Sequence, residues 1–224
     1  TSALESAQEK GVEVDEAIIE KSRDYQKSNI DVKTNNVSTE SAAGVVLYSV
    51  SGSTRASAKE TRQAKDIIKK AKKEGKISNE EVNVDNLTRA GLSQSQALKY
   101  ETAYQVNESA KKLAQDDNVL SGFGNNGGEE FLSYLQTGEG MIISNDNSWQ
   151  SWYEKTSSRL LDIQNNDGSW SGHHCITSPV FCTATCLLIL SVNNDIQKLT
   201  GDFKKKNNIV SCFIFCRLLK CPIT

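Results

Sequence analysis

A chain of 224 residues is long enough to bury most of its apolar side chains in one large domain. Its 26 basic and 28 acidic side chains give a formal net charge of −2 with both signs interspersed, which argues against nucleic acid or an anionic membrane surface as partner, since both need a clustered basic face. The one basic run, Lys59 to Lys76, is broken by glutamates, and no apolar stretch approaches the roughly 20 residues of a bilayer span.

With two prolines and abundant Ala, Lys, Glu, Gln and Leu, the chain favours helix over sheet. Asp15 can cap a helix running to about Ser28, with Val14 and Ile19 placed as a hydrophobic staple. Its apolar stripe is narrow, so an outer, half-exposed helix is predicted. From Thr39 to Val50 the only charge is Glu40, which predicts a helix surrounded by protein. A separate charged helix is predicted from about Ser57 to Glu74, followed by a polar linker from Gly75 to Gly91; this helix is a candidate interaction element.

Ser93 and Gln96 form a capping-box signature that opens an amphipathic helix to about Asp116. After the glycine-rich turn Gly122 to Gly128 comes a more apolar helix whose first turn carries Glu129 and Glu130 at its positive end. Ser148 opens a further helix with Trp149, Trp152, Tyr153, Thr156, Leu160 and Ile163 on one face, and Pro179 opens an apolar helix to about Val192. Amphipathic and apolar helices thus alternate in three pairs, near residues 15 to 50, 94 to 143 and 149 to 192. The predicted helical domain spans 1–197, and the tail 198–224, with the apolar run Ile209 to Leu219, has no clean period of either kind.

All six cysteines lie from Cys175 onward, which argues against a disulfide framework spread over the domain. Cys182 and Cys186, like Cys212 and Cys216, are four apart, a spacing that gives parallel side chains on a helix and poor disulfide geometry. Free, buried thiols are expected. The sequence begins at Thr1 without a methionine or a hydrophobic leader, which fits a soluble protein that is either cytoplasmic or exported after loss of a leader.

Gln164-Asn165-Asn166-Asp167-Gly168-Ser169-Trp170 joins a turn to the apolar run Thr183 to Leu190. Asn and Gly tolerate the left-handed conformation of a helix C-cap, and Trp170 supplies an apolar plug. This turn resembles a repeat of the squalene cyclase and protein prenyltransferase superfamily. The resemblance implies an all-α fold of helical hairpins forming part of an α/α toroid, with Gln164, Asp167, Gly168 and Trp170 as structural staples between repeats. Where cyclases of that superfamily carry an acid in an Asp-Cys-Thr-Ala-Glu motif, this chain reads Phe181-Cys182-Thr183-Ala184-Thr185. Without the acid, the proton donor of cyclase chemistry is missing at that position.

Several residues stand out as candidates for chemistry. His173, His174, Cys175 and Cys182 are the types that bind zinc, weighed against histidines that merely pack a loop. Glu129 and Glu130, with His174, are candidates for acid or base work, against simple compensation of the helix dipole. Trp149, Trp152 and Trp170 are candidates to line a cavity, against a place in the core. The Gly122 to Gly128 turn lacks the Lys-Ser/Thr ending of a phosphate loop. The expectation is a non-catalytic scaffold with an apolar concavity for a small molecule or a protein partner, and self-association through open repeat ends. The alternative is an isoprenoid-processing enzyme, cyclase-like or prenyltransferase-like, with a His/Cys site.

Overall fold

The computed structural model describes residues 1–200, so the expectations for Cys212, Cys216 and the tail beyond residue 200 lie outside the described residues. In chain order come α1 (Ser2–Glu9), α2 (Glu16–Lys27), a two-stranded antiparallel ladder of β1 (Ile30–Asp31) and β2 (Asn36–Val37), and a 3-10 turn at Glu40–Ala42. Then follow α3 (Val46–Lys73), α4 (Val84–Arg89), α5 (Gln94–Leu113), α6 (Gly128–Ile143), α7 (Trp149–Asp162) and α8 (Pro179–Ser191), with a 3-10 turn leading to α9 (Ile196–Thr200). The chain is mostly helical, as its composition predicts.

Local signals set several of these ends. Asp15 accepts the backbone N–H of Ala17, Ser93 and Gln96 close a reciprocal capping box, and Ser178 accepts from Phe181 just ahead of Pro179. Elsewhere the structure corrects the sequence reading. The helix expected to start near Thr39 begins at Val46, and it runs without a break to Lys73 instead of ending near Val50. The suspected break, Ser51-Gly52-Ser53-Thr54, is a crossing point. Ser53 donates to the Gln26 carbonyl at 2.6 Å, and a Cβ added to Gly140 would lie 2.9 Å from the Thr54 methyl. Small residues are needed there so that α2 and α6 can approach. The charged segment from Ser57 is therefore half of a central helix, with Ala58, Ala64 and Ile68 buried, and not a separate helix.

Helix α3 packs most extensively on α5 and α6 and also against α2, while α6 packs in turn on α8 and α7. Around α6 to α8 lies an apolar core of Phe131, Tyr134, Met141, Trp152, Tyr153, Leu160, Trp170, Cys182, Cys186 and Ile189. The α3–α4–α5 corner holds a smaller cluster built on Ala64, Ile68, Leu87 and Ala97. Between α1, α2 and α3 the interior is ionic. Glu5 accepts from Arg23 at 2.8 Å and from Arg55 at 3.0 Å, and Lys27 meets Glu60 at 2.6 Å. Burial pushes the Glu5 carboxyl up, but Arg55, Arg23 and Lys59 together outweigh it and hold its pKa below the ordinary value.

Cys182 and Cys186 are free and buried, as expected, whereas Cys175 is free and exposed. Among the described residues, Pro179–Thr200 has the length and apolar composition of a membrane span, which the sequence reading did not pick out. It packs against α6 along one side and gives no clear transmembrane segment.

Candidate functional site

The turn after α7 is built by its own side chains. Gly168 takes φ +85°, the Gln164 amide donates to the Gly168 carbonyl at 2.9 Å, and Asp167 accepts from the Ser169 N–H and hydroxyl. Those Ser169 bonds hold the Asp167 carboxyl below its usual value. Trp170 is buried, donates its indole N–H to the Leu160 carbonyl at 2.8 Å, and receives the Thr183 hydroxyl oxygen on its own N–H at 3.0 Å. The end of α7 is thereby fixed to the side of α8.

The chain leaving this turn lies against the glycine-rich turn before α6. The Gly128 N–H donates to the Ile176 carbonyl and the His173 N–H to the Asn126 carbonyl, both at 2.8 Å. Glycine is required by proximity at two positions. A Cβ on Gly127 would fall 2.2 Å from the His174 carbonyl oxygen, and one on Gly172 would fall 2.1 Å from that of Ile176. Backbone atoms cannot give way as a flexible side chain can, so the two loops form one tightly fitted unit.

Glu130 secures this unit from inside. It is buried and accepts from the N–H groups of Gly124 at 2.8 Å and Asn126 at 3.1 Å and from the Tyr134 hydroxyl at 2.5 Å. Tyr134 also stacks on Phe123 with ring centroids 4.7 Å apart. Burial first, and then the Glu130 charge, pushes the Tyr134 phenol far above its ordinary pKa, so it stays a hydrogen-bond donor. Of the two candidate acids, Glu130 is thus committed to holding the loop.

Glu129 faces a different group. One of its oxygens accepts the Ile176 N–H at 3.4 Å, and its carboxylate, a His174 ring nitrogen and the Cys175 sulfur all lie within 4.8 Å of one another. His174 Nδ1 and Cys175 Sγ are 3.4 Å apart. Adjacent side chains in an extended segment diverge, but Cys175 adopts φ +55°, a left-handed conformation costing a non-glycine residue about 1–2 kcal/mol. A hydrogen bond to Glu129, with smaller contributions from burial and the Glu129 charge, pushes the Cys175 thiol above its ordinary pKa.

Glu129 also borders a cleft of about 520 Å³ between α1, α2, α3 and α6. Its lining mixes hydroxyls and amides, including Gln26, Asn29, Ser49, Ser133 and Gln136, with apolar Ala42, Ala43 and Leu132, and Arg55 and Tyr48 stand beside them. Burial raises the Tyr48 pKa to about 12, helped by the charges of Glu129, Glu130 and Cys175. Tyr48 therefore keeps its proton at any physiological pH.

No family model, curated protein or solved structure matches this chain. The site rests on its own geometry.

The sequence-predicted residues divide accordingly. Among the described residues, the groups able to converge on an ion are Glu129, His174 and Cys175. Cys182 is buried in the core, where its thiol donates to the Ile176 carbonyl at 3.8 Å, and His173 enters through its backbone. Trp152 and Trp170 are core residues, Trp152 lying against Gly138, and Trp149 is half-buried with its ring beside Tyr153. Sequence reasoning missed the polar cleft. Its signal was the cluster of small residues Ser49, Ser51 and Gly52, which straddles the end predicted for the first of two separate helices.

Proposed function

We propose that this chain is a non-catalytic helical scaffold that binds a compact polar ligand in the cleft between α2, α3 and α6. The observation that carries this reading is the lining: a space of about 520 Å³ where Gln26, Asn29, Ser49, Ser133, Gln136 and Arg55 stand among Ala42, Ala43 and Leu132, within the size range of small-molecule sites. Such walls satisfy hydroxyl and amide groups, whereas an isoprenoid would leave them desolvated without partners. The apolar concavity expected from the sequence is replaced in this reading by a polar one.

The architecture we propose is an arc of an α/α toroid, with α3, α6 and α8 as its inner row and α2, α5 and α7 outside. Support comes from α6, which packs on α3 at one side and α8 at the other, and from the Gln164 to Trp170 turn. Exposed Val180, Leu187 and Leu188 on α8 support self-association or a protein partner at that end of the row. The second reading, an isoprenoid-processing enzyme, is favoured by one observation, the proximity of His174 and Cys175 to each other.

Thermal unfolding of the full chain in the presence of saccharides, short neutral peptides and an isoprenoid alcohol separates the two readings. A ligand of the folded state at 100 times its Kd stabilises by about 2.7 kcal/mol. The scaffold reading requires a polar compound to raise Tm and Gln136→Trp, which fills the cleft from α6, to abolish the rise. A rise with the isoprenoid alone would replace it with the enzyme reading.

A further inference from the structure

We propose that Glu129, His174 and Cys175 bind one zinc-class divalent cation through a carboxylate oxygen, an imidazole nitrogen and a thiolate. Glu129 enters from the first turn of α6 and the other two from the loop before α8, so the site exists only when both segments are docked.

Distance supports it first. A tetrahedral ion with bonds of about 2.0–2.3 Å sets its ligand atoms roughly 3.3–3.8 Å apart. The His174 to Cys175 separation of 3.4 Å already falls in that range, and the whole group, within 4.8 Å, closes by small side-chain rotations. Donor chemistry comes second. One sulfur, one nitrogen and one oxygen suit a borderline-soft ion, and they disfavour magnesium or calcium, which take oxygen. Glutamate and thiolate with a neutral imidazole also balance a charge of +2. As the metal–sulfur bond forms, the Cys175 thiol releases its proton to solvent.

Rigidity is the third support. Two backbone bonds of 2.8 Å lock the loops together, and the Ile176 N–H orients the Glu129 carboxylate, the kind of outer contact that fixes metal ligands. The Glu129 carboxylate also lies against the bare Cα of Gly127, whose missing Cβ would fall 2.4 Å from Oε2. One effect opposes a cation here, the positive end of α6. Glu129 and Glu130 in its first turn offset it.

Three protein ligands leave a position for water or for a donor atom of a ligand. Because Glu129 also borders the cleft, an ion here would anchor one end of whatever the cleft holds. Ion binding itself is independent of the cleft reading, and it can be tested without a cleft ligand.

The test is titration of the metal-stripped full chain with Co²⁺, followed by thiolate-to-cobalt charge-transfer absorption. One equivalent should saturate the wild type, and equally a Cys212→Ser, Cys216→Ser, Cys221→Ser variant, which removes the cysteines outside the described residues. Cys175→Ser should abolish the band with the helical circular dichroism unchanged. Glu129→Gln and His174→Ala should each weaken binding at least tenfold, while His173→Ala should not. Zn²⁺ should displace Co²⁺ and protect Cys175 from alkylation, read on its own peptide by mass. A band that survives Cys175→Ser, a band lost in the triple variant, or no stoichiometric band at all would overturn the proposal.

Discussion

The interior between α1, α2 and α3 is held by buried charges, Glu5, Lys27, Arg55 and Glu60, whereas the interior of α6 to α8 is held by Phe131, Tyr134, Trp152, Tyr153 and Trp170. Both are attached to α3 or its immediate neighbour α6. They differ in what each demands of its parts. An aromatic core loses stability in proportion to the volume removed, and its energy is indifferent to pH. An ionic interior gives little net stabilisation as a set, yet it becomes costly when one partner is removed and the other stays behind. The ionic interior is therefore the more sensitive to losing one partner of a pair, and the aromatic interior the more sensitive to cavities.

The strongest challenge to the aromatic half is Trp170→Ala. It empties a large buried volume and strands the Leu160 carbonyl, so a loss of about 4 kcal/mol is expected, measured by denaturant unfolding at neutral pH. In the ionic half, Arg55→Ala leaves Glu5 buried with Arg23 and Lys59 as its remaining partners. The expected loss is about 3 kcal/mol, at the low end for a broken buried pair because Arg23 stays.

Acid titration sharpens the contrast. The folded pKa of Glu5 is depressed below 4.5, so its contribution is complete above that value and is lost as pH falls through the folded pKa. Wild-type stability should fall as pH drops below about 4.5 and on through the folded pKa. In Arg55→Ala the depression is smaller and the fall should be shallower; an unchanged slope would remove Glu5 from the account. The smallest effect is expected from replacing Lys27 and Glu60 together with Met and Leu. Both members of the 2.6 Å pair vanish at once, so the change should lie within about 1 kcal/mol of zero or be stabilising. A loss as large as that of Arg55→Ala would mean that the pair contributes more than its own desolvation costs.

Helix starts were legible wherever a side chain caps the backbone, as at Asp15, Ser93 and Pro179. Capping is a local interaction written in a few consecutive residues. The long α3 was not legible across Ser51 to Thr54, because small residues mark a flexible break and a close helix crossing with the same letters. Only the partners, Gln26 on α2 and Gly140 on α6, separate the two. The short α4 hid in a polar linker, although Asn83 caps it through the Asn86 N–H. In the candidate site, Glu129, His174 and Cys175 could each be named as a chemically capable residue. Their convergence could not, since it depends on backbone bonds between loops with no periodic relation in the chain. Cys182 illustrates the opposite error: its position beside the loop suggested a ligand, but the helix turns it into the core.

Helix α3 has 28 residues, or roughly 42 Å at 1.5 Å per residue, and it acts as a beam shared by otherwise unlike interiors. Neither interior can come apart without uncovering one of its faces, so the described helices should melt as a single cooperative unit despite their different chemistry. Strain introduced among the charges near α1 would then be felt at the loop that carries His174 and Cys175 through this beam and α6, with no contact of its own between the two ends.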